Sequence, residues 1–247
     1  MAAPPPLVLA PGMLCDAGVW AGVIAALGGG VDIRVAEYGQ ARSMTAMAEA
    51  LLAAAPPVFA LAGHSMGGRV ALEAYRLEPH RIAALALIGT EHRPAPAGEA
   101  GEREHAGRLR LLQIARERGM RAVGEAWLES LVDPSRLRDA ALVGAVLEMI
   151  ARQTPERLEA EVEAGRTRPD SRALLPKLAC PALFLAGRND RLRPPEVHAE
   201  MAALAPRARL VVLEGCGHML PMERPGETAA ALREWLEAGN ISRHRPA

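Results

Sequence analysis

The sequence predicts an α/β protein, a mostly parallel sheet flanked by helices, with an all-helical insertion across the middle of the chain. Two observations carry that expectation. Short apolar runs alternate with helix-length segments over residues 7–89 and again over 181–238, and the runs are apolar throughout, as strands covered on both faces are. Between residues 91 and 168 no strand-like run occurs; Arg, Glu and Ala dominate there at helical spacing.

In chain order, LVLA (7–10) reads as a buried strand ended by Pro11-Gly12. Asp16 caps a helix over 16–27, which the glycines at 28–30 close. VDIRVAEY (31–38) alternates apolar and polar residues as a half-buried strand does, and a helix over 43–55 starts at a Ser43 cap and stops at Pro56-Pro57. A strand over 58–63, a helix over 66–77 ended before Pro79, and a strand over 82–89 follow. Val123/Trp127/Leu131 and Leu142/Val146 show helical spacing within the insertion. The alternation resumes with a strand (181–187), a helix (194–205), a strand (208–215) and an amphipathic helix (226–238), and the tail NISRHRPA reads as frayed. These elements divide the chain into a core domain of residues 1–90 and 169–247 and a helical lid of residues 91–168.

Half of the residues are hydrophobic but only 3% are aromatic, so the core must be built from aliphatic side chains, and a groove of stacked aromatics is not expected. The formal net charge is zero and Arg and Glu are interspersed, which argues against a nucleic-acid partner. The start MAAPPPLVLAPG lacks a basic leader and is broken by prolines, no run approaches a membrane span, and three cysteines make no disulfide framework. The expectation is a cytoplasmic protein.

The chemistry concentrates at strand ends. GHSMGG (63–68) contains G-x-S-x-G between a strand and a helix. A turn that tight needs small neighbours, and Gly63 and Gly67 supply them; it lifts the Ser65 hydroxyl out of the sheet and sets the Met66 N–H at a helix N-terminus, where it can meet negative charge. A Gly-flanked serine also serves as a plain helix cap, so the reading depends on partners. A serine hydroxyl needs a base, and the base needs an orienting acid. His218 in GCGHMLPMERP follows one strand and Asp190 in GRNDRLRPP follows another, in the order Ser, acid, His. Glu91, at the end of strand 82–89, is the alternative acid. His64 points away if Ser65 is at the apex, His105 lies in the insertion, and His80, His92, His198 and His244 read as surface residues. A second oxyanion donor is expected from APGMLCD, with the Met13 N–H first and Leu14 next. Met13, Met66, Met219 and Met222 flank the site in sequence and are either acyl-pocket residues or ordinary core methionines; Leu14 and Met219 are the expected substrate contacts. Cys15 and Cys216 read as small buried residues.

With PGMLCDAGVW (11–20) and RPDSR (168–172), these motifs resemble the lidded serine hydrolases of the α/β-hydrolase fold family over nearly the whole chain. The resemblance implies Ser65 as nucleophile, Asp190 as acid, His218 as base, and the Met13 and Met66 amides as oxyanion donors. It implies cleavage of a small-molecule carboxylic ester through an acyl-enzyme, with no cofactor or metal. The apolar positions of the insertion pack either on its own core or on a second subunit, so monomer and homodimer both stay open. One departure is Pro11-Gly12 where many members carry His-Gly. A serine at the corner argues against the dehalogenating and epoxide-opening relatives, which use Asp there. The same set also serves lactone opening, thioester cleavage, elimination or acyl transfer, and, from another class, a ligand receptor with vestigial turnover, which tight retention without turnover would mark.

Overall fold

The computed structural model describes residues 5–238, so the NISRHRPA tail and His244 lie outside the described residues. Six strands, β1 (Leu7–Ala10), β2 (Ile33–Val35), β3 (Phe59–His64), β4 (Ile82–Ile88), β5 (Ala182–Gly187) and β6 (Ala208–Leu213), form one sheet in the order β2-β1-β3-β4-β5-β6. Every pairing is parallel. The chain leaves β1 toward one edge to make β2 and returns to make β3 on the other side, so strand order reverses between β1 and β3. In open parallel sheets, ligands bind in the crevice that opens at such a reversal.

Alternation along the strands explains the two-faced core. Leu7, Leu9, Ala60, Ala62, Leu183 and Leu185 face a layer holding Trp20, Val23, Leu232 and Trp235, from α1 (Ala21–Leu27), the short 3-10 turn before it, and the C-terminal helix α10 (Pro225–Ala238). Val8, Ala10, Leu61, Leu85 and Phe184 face the other way, against α2 (Met44–Ala54), α3 (Met66–Leu77) and α8 (Pro195–Leu204). Small alanines in β3 and β4 let the first layer approach closely.

The expected caps form: Ser43 Oγ accepts from the Ala46 amide at 3.1 Å, and Asp16 Oδ1 from the Gly18 amide at 2.7 Å. The strand expected over 31–38 is shorter. Only Ile33–Val35 pair as strand, because β2 is an edge strand whose sole partner has four residues. Beyond it the Tyr38 hydroxyl turns inward to donate to the Pro11 carbonyl at 3.1 Å.

Between β4 and β5 lie α4 (Gly98–Arg118), α5 (Met120–Leu131), α6 (Ala140–Ala151) and α7 (Pro155–Arg166). They pack on one another through Leu112, Val123, Val146 and Leu158, which join the first core layer. A four-residue helix, α9 (Leu220–Glu223), follows β6. Among the described residues no helix is long and apolar enough to cross a membrane, and Cys15, Cys180 and Cys216 are free and buried.

Candidate active site

The corner after β3 is held by its neighbours. Ser65 adopts φ +53° and ψ −116°, a left-handed conformation that non-glycine residues rarely hold. Its amide donates to the Ile88 carbonyl at 2.8 Å, and its own carbonyl accepts from Thr90 Oγ1 at 2.6 Å. The glycines are required by contact. A Cβ on Gly63 would lie 2.3 Å from the Gly67 carbonyl oxygen, and one on Gly67 would lie 2.1 Å from that of Ala10. Both obstacles are backbone, so a methyl group at either position forces β1, β3 or α3 to move.

The loops after β5 and β6 bring two more groups to this corner. His218 Nε2 lies 2.8 Å from Ser65 Oγ, and Nδ1 lies 2.8 Å from Asp190 Oδ2. That geometry suits a tautomer with Nδ1–H donating to the carboxylate and Nε2 free to take the serine proton. Asp190 Oδ1 accepts from the Leu192 and Arg193 amides, each at 2.8 Å. Burial pushes the Asp190 carboxyl up, but the His218 charge and hydrogen bond and the two amides outweigh it, and the group stays ionised below the usual carboxylate range. Glu91, the alternative acid, is instead bound by Arg69 at 2.5 Å and Arg193 at 3.1 Å.

The His218 loop is clamped from below by a group to which the sequence reading gave no role. Glu223 is buried; its Oε1 accepts from Met219 N at 3.0 Å, and its two oxygens accept from Gly217 N at 3.1 Å and from Asp133 N at 2.9 Å. Its place inside GCGHMLPMERP, five residues after His218, was the available signal. His64 contributes as well: its Nε2 lies 2.8 Å from the His218 carbonyl oxygen, which fixes Nε2 as the protonated nitrogen. Burial, then the nearby His218, lowers the His64 pKa to about 3, so that ring is neutral.

The two amides expected as oxyanion donors lie in the loop after β1 and at the start of α3. Met66 opens α3, so its amide has no intrahelical acceptor. Among the described residues the Met13 amide also has no protein acceptor. The Leu14 amide is taken: it donates to Glu161 Oε2 at 2.8 Å, which removes Leu14 as the second choice of donor. Leu14 itself sits at φ +57° with its side chain fully buried beside Val19 and Trp20. The expectation of Leu14 as a substrate contact is therefore corrected, since the inverted backbone turns the side chain into the core. Glu161 comes from α7 and is held in turn by Arg157 Nε at 3.0 Å, while Arg157 Nη2 donates to the Cys15 carbonyl at 2.8 Å. Nothing in the sequence marks Glu161, one more glutamate in a helix rich in Arg and Glu.

Two more expectations are corrected. His92 and His198 are buried, not surface residues. His198 lies on the inward face of α8, where its Nε2 accepts from the Thr90 amide at 3.0 Å, and burial lowers its pKa to about 4. His80 is exposed, and His105 lines the cavity described next. Cys15 and Cys216 are buried, as expected, and burial pushes the Cys15 thiol up to about 12 and raises that of Cys216, which disfavours the reactive thiolate at both.

Two spaces meet at Ser65 and His218. A cavity of about 70 Å³ is lined by Met13, Met44, Met66 and Leu192 on the sheet side and by α4, α5 and α7 above. A recess of about 10 Å³ lies alongside, walled by Gly12, Cys15, Leu131, Met149, Ile150 and Met219. Met219 lines the recess and Met13 both spaces, whereas Met222 packs on the core and lines neither.

A strained serine corner at the strand-order reversal, with its histidine and carboxylate on two later strand ends, defines the class of α/β hydrolases that work through a nucleophilic serine. The chain belongs to the α/β-hydrolase fold family, whose model matches residues 37–225. It is 28% identical over 260 residues to the pimeloyl-[acyl-carrier protein] methyl ester esterase of Aromatoleum aromaticum, covering 93% of this chain and 97% of that one. The enzyme of the same name from Xanthomonas campestris pv. campestris is 30% identical over 195 residues, covering 76% of this chain and 75% of that one. Among solved structures, a thermophilic esterase from Thermogutta terrifontis with malate bound superposes with a TM-score of 0.83 at 30% identity, covering 96% of this chain and 91% of that one.

Proposed function

We propose that the protein is a serine carboxylic-ester hydrolase that works through an acyl-enzyme on Ser65, and that residues 91–168 act as its lid. The observation that carries this reading is the His218 ring, hydrogen-bonded at one nitrogen to Ser65 Oγ and at the other to Asp190. His218 Nε2 takes the Ser65 proton as Oγ attacks the ester carbonyl. The Met13 and Met66 amides receive the oxyanion, and Asp190 stabilises the imidazolium without taking its proton. His218 then protonates the leaving alcohol, and water attacks the acyl-enzyme by the same steps reversed.

The two spaces suggest how substrate is divided. A recess of about 10 Å³ admits roughly one water- or methyl-sized group, which suits a small alcohol such as methanol. The larger cavity under α4, α5 and α7 takes the acyl half. The relatives named as methyl ester esterases support that division.

The test is hydrolysis of methyl, ethyl and butyl esters of one acid, comparing the protein with Ser65→Ala. Turnover that falls from methyl to butyl and is abolished by Ser65→Ala is expected. Equal turnover in both proteins would remove Ser65 from the chemistry, and a rise toward butyl would overturn the assignment of the recess.

A further inference from the structure

The larger cavity has a charge imbalance that ester hydrolysis does not require. Arg69, Arg108, Arg168 and Arg193 line it beside Ser65 and His218. Two carboxylates answer these four guanidiniums. Glu91 is shared between Arg69 and Arg193, at 2.5 and 3.1 Å. Glu104 is held by Arg168 through two bonds, at 2.7 and 2.9 Å. A fifth arginine, Arg166, also lines the cavity and pairs with Glu163 at 2.7 Å.

Arg108 is left over. Among the described residues it has no ion pair and no hydrogen bond. Its guanidinium lies 4.7 Å from the centre of the Trp127 ring, stacked on α5 and held at the cavity wall. Half-buried on the cavity wall, it has Arg193, Arg168 and Glu104 as its charged neighbours, two cations against one carboxylate that Arg168 already holds. Burial, then Arg193, lowers its pKa to about 10, and burial with the same neighbour brings Arg69 to about 9. Such an array is held at a cost, and a bound anion relieves it. A planar guanidinium whose face is covered by an indole still presents its N–H edge, the geometry that takes a carboxylate or phosphate through two parallel bonds.

We propose that this cavity selects esters whose acyl half carries an anionic group, and that Arg108 is the residue that binds the anion. The proposal rests on the ester-hydrolase reading and names its substrate class. Methyl monoesters of dicarboxylic acids fit the description: attack on the ester carbonyl releases methanol, while the second carboxylate stays with the acyl half against Arg108. A phosphate farther along the acyl half would be held by the same chemistry.

Two measurements test this. The first is the ratio of kcat/KM for the methyl monoester of glutarate or adipate to that for the methyl alkanoate of equal chain length. A ratio above about 10 is expected in the intact protein. It should fall at least tenfold in Arg108→Met, mostly through KM, and be largely kept in Arg108→Lys, which preserves the charge. A ratio near or below one, or one that Arg108→Met leaves unchanged, would overturn the proposal. The second is calorimetric binding of glutarate, glutaramide and inorganic phosphate to the Ser65→Ala protein, which needs no turnover. Glutarate binding that glutaramide does not reproduce and that Arg108→Met abolishes is expected, and phosphate binding tighter than glutarate would assign the site to a phosphate. Absence of anion binding would refute the inference even if esters are hydrolysed. Anion binding without turnover would instead count against the esterase reading alone.

Discussion

Glu161 connects α7 to the loop that presents the Met13 amide, and replacing it should impair catalysis without touching substrate. Leu14 holds φ +57°, a conformation that costs a non-glycine residue about 1–3 kcal/mol. The Leu14 N–H···Glu161 bond of 2.8 Å has a carboxylate acceptor and is buried, so it contributes about 1.5–3 kcal/mol. The two terms nearly balance, and this bond decides whether the inverted conformation persists. In Glu161→Ala the loop can relax, turning the neighbouring Met13 amide away from the oxyanion. Loss of one such donor lowers kcat by about 10²–10³. Because the donor acts on the transition state, kcat and kcat/KM should fall together while KM holds. Glu161→Gln keeps an acceptor for Leu14 but sets an amide against Arg157, so an intermediate loss is expected. Rates should be normalised to folded sites by titrating Ser65 with a fluorophosphonate. If kcat per labelled site stays within about threefold of the parent while the melting temperature falls, the network is merely structural and the reasoning fails.

Three other outcomes follow from the same geometry. Asp190→Asn should cost roughly 10⁴ in kcat, since an amide can donate to His218 Nδ1 and favour the wrong tautomer; a loss under about tenfold would move the acid role elsewhere. Gly67→Ala should destabilise by about 3 kcal/mol or more in urea unfolding, because its Cβ would lie 2.1 Å from a backbone oxygen; a cost under about 1 kcal/mol would contradict the tight corner. His64 and His198, at about 3 and 4, are neutral in the folded chain where an unfolded histidine titrates near 6.5. The unfolded state therefore binds more protons below that value, and stability is full above about pH 6.5 and lost as pH falls. At pH 5 the loss is of order 2 kcal/mol per histidine, so the urea midpoint should drop markedly between pH 8 and 5, and less so in His198→Asn; a flat profile would show that these rings are hydrated.

Much of the fold is legible in local sequence because local sequence carries backbone geometry. Continuous apolar runs mark β1, β3, β4 and β5 as strands covered on both faces. Gly63 and Gly67 mark a corner that admits no Cβ. Ser65, Asp190 and His218 stand out because each follows a strand, and parallel strands deliver their ends to one edge. The end of β2 was harder to read, since an edge strand extends only as far as its partner allows. The four residues of β1 are legible, but the alternation of VDIRVAEY could not reveal that β1 is the only partner of β2, or that Tyr38 is drawn to Pro11.

What only the tertiary structure decided concerns pairs far apart in the chain. Glu161 meets Leu14 across 147 positions, and no periodicity encodes that contact. The burial of His198 depends on α8 packing beside Thr90, not on anything adjacent to it in sequence. Arg108 looks like its neighbours in an Arg- and Glu-rich helix until packing gives Glu91 to two other arginines and Glu104 to a third. By itself the sequence determined which residue types stand at which strand ends, because strand, turn and helix are set by near neighbours. Packing determined which charges remain unpaired and which amides remain free, because both depend on groups brought together only when the helices close over the sheet.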